Sequence, residues 1–376
     1  MNFIDNFWAK WFKSYGDTDF ITGMRAFAAI AVVLIHSGGA GLRNLGWYGN
    51  DLVNLGAIGP CIFFVISGYS VSVSYAKSSG FSSFLKKRIL RIAPLYYFWI
   101  IVFITLSPSI GYWGEKYGAS LDFYNLAMHF SFLSFADYRV ANSILGVEWS
   151  LSIEVFWYIL VPVIIALMQS KKSIYIMLFL SWAALLLTIV ALKHYFFPKN
   201  NDALIAYYWT PLPYLFSYCA GVAAFKVRSA RTFSGRYADI VLLLSIAFVL
   251  LYPVIDKYTS DYLINKYIAF STLTMILISV GSKKSFLFRV LLFNRVSVFL
   301  GVISYGLYLS HGAVIKFAGP FIHKYITTNF GWFIAVLSLS IIVSIFTYVL
   351  IERVLTDKVK DLIGMKSKKT ALIKTQ

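Results

Sequence analysis

Residues 22–39 read TGMRAFAAIAVVLIHSGG. Apart from Arg25 and His36, every position in this run is apolar or small. An amphipathic surface helix would carry a polar stripe opposite its core face, and this run has none. At about 1.5 Å of rise per residue it also approaches the roughly 30 Å hydrocarbon thickness of a bilayer. It is therefore read as a membrane-spanning helix. Further apolar stretches of similar length follow at 55–76, 92–110, 149–168, 174–193, 205–225, 238–255, 262–281, 297–318 and 330–351, which makes ten. The segment 121–137 (LDFYNLAMHFSFLSFAD) is apolar but short, and is expected to lie at the interface or re-enter rather than span.

Composition agrees. Hydrophobic residues make up 59% of the 376 positions and charged ones 13%, with a mean hydropathy of +0.72. Soluble domains sit nearer about 45–50% apolar and 25% charged, so a chain this apolar needs lipid in place of water around much of its surface. The 18% aromatic content suits the Trp and Tyr belts of membrane interfaces. Cys61 and Cys219 both fall in apolar runs and offer neither a disulfide framework nor metal-ligand spacing. No metal site is expected. The first run is long enough to remain as an anchor rather than be removed as a signal peptide. No internal repeat of the transporter kind is visible, and with a short Lys-rich tail no appended soluble domain is expected.

The formal charge of +18 has a topological explanation. With the N-terminus inside and ten spans alternating, most of the 34 Lys and Arg residues fall in inner segments. These hold Lys10, Lys13 and Arg25, then Lys77, Lys86, Lys87, Arg88 and Arg91, then Lys171 and Lys172. Lys226, Arg228, Arg231 and Arg236 follow, then Lys283, Lys284, Arg289 and Arg295, and last the tail from Arg353. Positive-inside bias accounts for this distribution, and nucleic acid is not an expected partner. The expected fold is an all-α integral membrane protein: a bundle of about ten transmembrane helices with both termini cytoplasmic. An interfacial amphipathic segment (1–20) precedes the membrane domain (21–353), and a basic tail (354–376) follows it. Phe3, Phe7, Trp8, Trp11 and Phe12 beside Lys10 and Lys13 mark the first as a helix lying on the inner face.

Ionisable groups inside a membrane usually meet a partner, a cavity or a pathway. Arg25 and His36 stand eleven residues apart, within about 20° of one helix face and about 16 Å along the axis. In KKRILRIAPLYY (86–97), Arg88 and Arg91 share one side of a helix and make a basic mouth with Lys86 and Lys87. Guanidinium forks suit phosphate oxygens, although topology alone also explains them. In GVEWSLSIEVFWYILVP (146–162), Glu154 is a carboxylate at depth, with Ser150 one turn back and Trp157 and Tyr158 one turn on. A buried Glu needs a cation, proton or donor. Because His36 lies at comparable depth, a His36–Glu154 pair is physically reasonable, and a structural Glu holding two helices together is the alternative. SYGLYLSHG (304–312) adds His311, also in the outer half. FFVISGYS (63–70) places Ser67, Gly68 and Tyr69 at a helix break or close contact. The outer loop 111–148 carries Tyr112, Trp113, Tyr117, Tyr124 and Tyr138, which either stack on sugars or form an aromatic belt.

Taken in order, these segments resemble the acyltransferase-3 family of membrane acyltransferases. Its Arg-x10-His pattern is matched by Arg25 and His36, and its FF-x-I-S-G-Y stretch by Phe63 to Tyr69. Its R-x-x-R-x-x-P pattern is matched by Arg88, Arg91 and Pro94. Its W-S-L-x-x-E pattern is matched by Trp149 to Glu154, and its S-Y-x-x-Y-L-x-H pattern by Ser304 to His311. The matches extend from residue 25 to about 353. Where many members have Pro after Arg, this chain reads IERV, so Glu352 carries over less firmly. The esterase-like domain fused to some relatives is not expected here.

The resemblance implies O-acylation, by default acetylation, of a surface or lipid-linked glycan such as lipopolysaccharide O-antigen, at a bacterial inner membrane. The donor would be cytosolic acyl-CoA, a substrate rather than a bound cofactor. His36, Glu154 and Arg25 are then the expected catalytic residues, with Glu154 orienting His36. Arg88, Arg91 and Lys87 are expected to bind CoA, and Ser67, Tyr69, Trp149, Ser150, Tyr305 and His311 are the further motif positions. Acceptor glycan and membrane lipids are the expected partners. The rival reading is a proton-coupled transporter or flippase of a sugar-like solute, for which a buried His and Glu would also serve.

Overall fold

The computed structural model describes residues 16–107, 109–191, 207–230, 233–259 and 265–362. Most of the expected interfacial segment 1–20, the tail beyond residue 362, Arg231 and the edges of three expected spans lie outside these residues. The described residues form helices and no strands. The principal helices are α1 (Asp19–His36), α2 (Gly59–Ala76), α3 (Phe81–Leu106), α4 (Trp149–Leu167), α5 (Lys171–Ala191), α6 (Leu215–Ala230), α7 (Gly235–Tyr258), α8 (Lys266–Val280), α9 (Arg295–Val302), α10 (Ser304–Ala313) and α11 (Asn329–Thr347).

Every apolar run in the sequence contains one of these helices. Among the described residues, seven helical stretches are long and apolar enough to cross a membrane: those of α1, α2, α3, α4, α5, α7 and α11. The pair α9 and α10, bent by 61° at Ile303, passes the same test together. The remaining two runs fold into shorter helices, α6 with 16 residues and α8 with 15. Large apolar side chains point outward along the spans; Phe346 is 63% exposed, and Phe27, Ile101, Leu187 and Leu244 are similar. An apolar exterior of this extent requires lipid around it. The chain is an all-α membrane protein.

Without a hydrophobic drive between helices in lipid, close backbone approach and polar contacts hold the bundle together. Gly68 and Gly221 supply the approach between α2 and α6. A Cβ on Gly68 would lie 2.7 Å from the Tyr218 carbonyl oxygen, and one on Gly221 would overlap the Val65 carbonyl. The FFVISGYS stretch is thus a close contact and not a break, since α2 runs through it unbroken. Hydroxyl pairs bridge other helices: Ser217–Ser271 at 2.8 Å and Ser310–Ser344 at 3.2 Å.

The segment between α3 and α4 folds back over one end of the bundle. Its apolar stretch at 121–137 contains an eight-residue helix, Phe123–Phe130, whose N-cap Asp122 accepts from the Asn125 amide at 2.9 Å. Asp137 and Arg139 pair at 2.7 Å, and the guanidinium holds the Asp137 carboxyl below the usual carboxylate range. Tyr112 and Tyr124 are exposed, whereas Trp113 packs edge-on to Trp209 with ring centroids 5.1 Å apart.

Candidate active site

Local sequence sets the position of His36. α1 ends there because Ser37, Gly38, Gly39, Ala40 and Gly41 follow, and the backbone turns left-handed from Gly38 to Gly41. Three of those four positions are Gly, which takes positive φ without strain. His36 is left at the helix end, exposed on one side.

On its other side His36 meets α10. His36 Nδ1 and His311 Nε2 are 2.9 Å apart, with the rings nearly parallel at 19°. His311 Nδ1 lies 3.2 Å from the Leu307 carbonyl oxygen. A carbonyl only accepts, so His311 Nδ1 carries hydrogen, its Nε2 accepts, and His36 Nδ1–H donates. The network assigns the unprotonated nitrogen of a neutral His36 to Nε2. The expected His36–Glu154 pair is therefore corrected. The sequence put these two residues at comparable depth, but in the structure α10 stands beside His36 and the two residues line different cavities, with Glu154 bonded elsewhere. Ser67 Oγ donates to Glu154 Oε1 at 2.7 Å, and the Tyr158 hydroxyl donates to the same oxygen at 2.5 Å.

Glu154 faces a cavity that draws on five helices. It is lined by Arg25 (α1), Ser67 and Ser70 (α2), Arg88 and Arg91 (α3), Ser150, Glu154 and Tyr158 (α4), and Ser304, Tyr305 and Tyr308 (α10). Three guanidinium groups and one carboxylate thus face one space, part of it open to the outside. Arg25 Nη2 donates to Ser70 Oγ at 3.1 Å, and Arg88 Nη2 donates to the Ser70 carbonyl at 2.8 Å. Arg88 is 8% exposed and lies over the Tyr158 ring, 5.9 Å from its centroid. Arg25 is accordingly turned into the bundle rather than serving as a boundary anchor. The Tyr305 hydroxyl donates to the Ile92 carbonyl at 2.8 Å, two residues before Pro94, joining α10 to the arginine helix.

A second cavity lies at the His36 end. Val32, His36, Pro60, Trp113, Asn142, Gly146, Val147 and Trp149 line it, together with Tyr208, Trp209, Tyr214, Tyr267 and Tyr308. Its walls are mostly aromatic: Tyr208 stacks on Tyr267 with centroids 4.3 Å apart, and Trp149 stacks on Tyr214 at 5.6 Å. The two cavities share Pro60 and Tyr308. Tyr308 bonds Ser150 Oγ at 2.9 Å and the Val147 carbonyl at 2.8 Å, and sits one turn before His311.

Most of the motif residues read from the sequence meet here. Arg25, Arg88, Arg91, Glu154, Ser67, Ser150 and Tyr305 share the first cavity, and His36 and Trp149 line the second. His311 lies behind His36. Tyr69 does not line either cavity; it packs toward Phe225, with centroids 6.2 Å apart. Lys87 is exposed outside the arginine cavity. Sequence reasoning missed Tyr308 as the shared wall, Ser70 as the common partner of Arg25 and Arg88, and the outer aromatics Tyr208, Trp209 and Tyr267. The Y-L-x-H spacing held the signal for Tyr308. Among the described residues no group of His, Cys, Asp or Glu is arranged to hold a metal ion.

Residues 18–349 match the acyltransferase-3 family model, described as "Acyltransferase domain". The chain belongs to this acyltransferase family. It is similar to "Putative acetyltransferase ORF330" of Acidianus two-tailed virus, 26% identical over 77% of this chain and 81% of that protein. It is also similar to "Putative O-acetyltransferase SACOL0978" of Staphylococcus aureus (strain COL), 26% identical over 88% of this chain. A third relative is "Putative peptidoglycan O-acetyltransferase YrhL" of Bacillus subtilis (strain 168), 26% identical over 80% of this chain. The chain spans about half the length of the last two, 56% and 49%. No solved structure matches. Family membership separates the site from the rival transporter reading: the chain is an acyl-transferring enzyme of the membrane.

Proposed function

We propose that the protein transfers an acyl group, acetyl by family resemblance, from acyl-CoA to a hydroxyl of a surface or lipid-linked glycan at a bacterial inner membrane. The observation that carries this is the pair of cavities meeting at Tyr308. One is cationic, with Arg88 and Arg91 from the helix that also carries Lys86 and Lys87, and the other is aromatic and lined by His36.

The donor side follows from charge. A CoA brings several phosphate charges, and Arg25, Arg88 and Arg91 offer charge-assisted donors for them. Glu154 offsets part of this charge and anchors the Tyr158 hydroxyl beside Arg88, so its proposed place is in the donor cavity. The positive-inside distribution supports a cytosolic position for the Lys86 and Lys87 end of α3, where acyl-CoA is available. The acceptor side follows from shape. Aromatic faces pack against the apolar faces of a pyranose, and Trp113, Tyr208, Trp209 and Tyr267 provide them around His36. Lipopolysaccharide O-antigen is one acceptor of this kind. Peptidoglycan, in the name of the Bacillus relative, is another.

His36 Nε2 takes the proton of the acceptor hydroxyl as its oxygen attacks the thioester carbonyl. The resulting imidazolium is stabilised through its Nδ1–H bond to His311, in the manner of an oriented base in a triad. Collapse of the tetrahedral adduct breaks the C–S bond. The proton returns from His36 to the departing thiolate, giving O-acyl glycan and free CoA.

The test uses purified protein in lipid nanodiscs with acetyl-CoA and an envelope glycan fraction. Free CoA thiol should appear only when glycan is present, with acetate esters forming on the glycan, and His36→Ala should abolish both while inserting normally. Glycan-independent turnover, or His36→Ala activity within a few-fold of the parent, would remove this mechanism.

A further inference from the structure

Four polar side chains lie fully buried beneath the segment that covers the aromatic cavity: Asn125, His129, Ser143 and Glu148. The mechanism above does not use them. Their contacts form one chain. His129 Nδ1 lies 2.9 Å from the Asn125 carbonyl, so Nδ1 carries hydrogen and Nε2 is directed at Glu148 Oε1, 3.5 Å away. Ser143 Oγ donates to Asn125 Oδ1 at 3.0 Å. Glu148 Oε1 accepts from the Ile144 amide at 2.6 Å, and Oε2 accepts from the Val147 amide at 3.0 Å. The His129–Glu148 contact is buried on both sides, and a buried polar network of this kind is costly if any member is lost.

The clamped backbone leads to the reaction centre. Gly146 and Val147 line the aromatic cavity, and the Val147 carbonyl accepts from the Tyr308 hydroxyl, the side chain shared by both cavities. Tyr308 is three residues from His311, with ring centroids 6.2 Å apart. Resting on the acyltransfer reading above, we infer that Glu148, steered by His129, is a positioning residue. It fixes the Ile144–Val147 turn so that Val147 holds Tyr308 between the donor and acceptor cavities. Neither His129 nor Glu148 lines either cavity. Their effect is expected on the acceptor side and the transfer step, since it reaches the arginine cavity only at its Tyr308 wall and not at its guanidinium groups.

Glu148→Gln is the direct perturbation. The amide keeps one oxygen for one backbone N–H but turns a donor toward the other, and it loses the charge facing His129. Three measurements separate positioning from general damage. Base-labile acetate released from washed envelopes of cells expressing each variant reports transfer whatever glycan accepts it. Calorimetric titration of CoA into purified protein reports the donor site, and hydrogen exchange at residues 144–147 reports the clamp. In Glu148→Gln we expect acetate to fall ten-fold or more, CoA affinity to stay within two-fold of the parent, and exchange at 144–147 to rise. Added to Tyr308→Phe, Glu148→Gln should cost less than a further two-fold, because the hydroxyl through which it acts is already gone. His129→Gln should move all three readouts in the same directions by a smaller factor. It decides the question in the same cycle if Glu148→Gln accumulates poorly. Retained acetate, a parallel loss of CoA affinity, or fully additive losses with Tyr308→Phe would overturn the proposal. A parent that releases no acetate would instead defeat the acyltransfer reading beneath it.

Discussion

Replacing His311 by Phe tests the histidine pair directly. The ring shape is kept, and what is lost is the Nε2 acceptor 2.9 Å from His36 Nδ1. In the ground state that is a hydrogen bond between neutral rings, worth about 0.5–1.5 kcal/mol. Once His36 has taken a proton, its Nδ1–H bond is charge-assisted and worth about 1.5–3 kcal/mol. What lowers kcat is the difference between the two, about 1–1.5 kcal/mol as the imidazolium develops, and at about 1.4 kcal/mol per factor of ten it gives a loss of roughly 5- to 13-fold. Freed rotation of His36 into the wrong tautomer would add to this. His311 lines neither cavity, so CoA affinity and acceptor KM should hold within about two-fold while kcat falls. Steady-state thiol release against both substrates gives the numbers. His311→Phe in a His36→Ala background should cost nothing further. A kcat within two-fold of the parent would refute the relay; so would a matching loss of CoA affinity, which would make His311 a packing residue.

Three other outcomes are expected. Arg88→Ala or Arg91→Ala should weaken CoA binding about ten-fold or more, from a charge-assisted contact of about 1.5–3 kcal/mol each; Lys should restore only part of it, added salt should narrow the gap to the parent, and equal calorimetric affinities would place the donor elsewhere. Glu154→Leu leaves the Ser67 and Tyr158 hydroxyls without their acceptor, so stability should fall by about 1–3 kcal/mol in thermal unfolding, while the gain in net positive charge keeps CoA Kd at or below the parent's; a collapsed kcat with stability unchanged would return Glu154 to the side of His36. Trp209→Ala should raise acceptor KM several-fold through loss of stacking surface and leave CoA binding alone, and a donor-side effect would sink the assignment of the aromatic cavity.

The membrane class and the residue set of the arginine cavity were legible in sequence, for different reasons. Hydropathy reports solvent directly, so runs such as 22–39 and 330–351 needed no tertiary information. Arg88 and Arg91 declared a shared helix side by their spacing, and Arg25, Ser67, Ser150 and Glu154 were marked by polarity at depth. The pairing was not legible. Depth estimated along a helix gives at most one coordinate; His36 and Glu154 line different cavities, and which helix stands beside His36 depends on how α10 turns after the bend at Ile303. Apolar runs likewise do not report helix length, so α6 and α8 read as full spans and fold shorter. His129 and Glu148 are joined across an irregular loop, where no periodicity links the two positions.

The separation into two cavities explains why His36 needs an orienting partner other than Glu154. A carboxylate on the donor side is already engaged: its Oε1 takes two hydroxyls, and its charge lies among three guanidinium groups that an anionic donor would occupy. Drawing it toward His36 would unbalance that cavity by one charge in a low-dielectric setting, where unpaired charge is costly. A neutral histidine at position 311 supplies the acceptor that fixes the His36 tautomer and adds no charge to either cavity. It sits one turn beyond Tyr308, so the same short helix that orients the base also carries the hydroxyl standing between the two substrates.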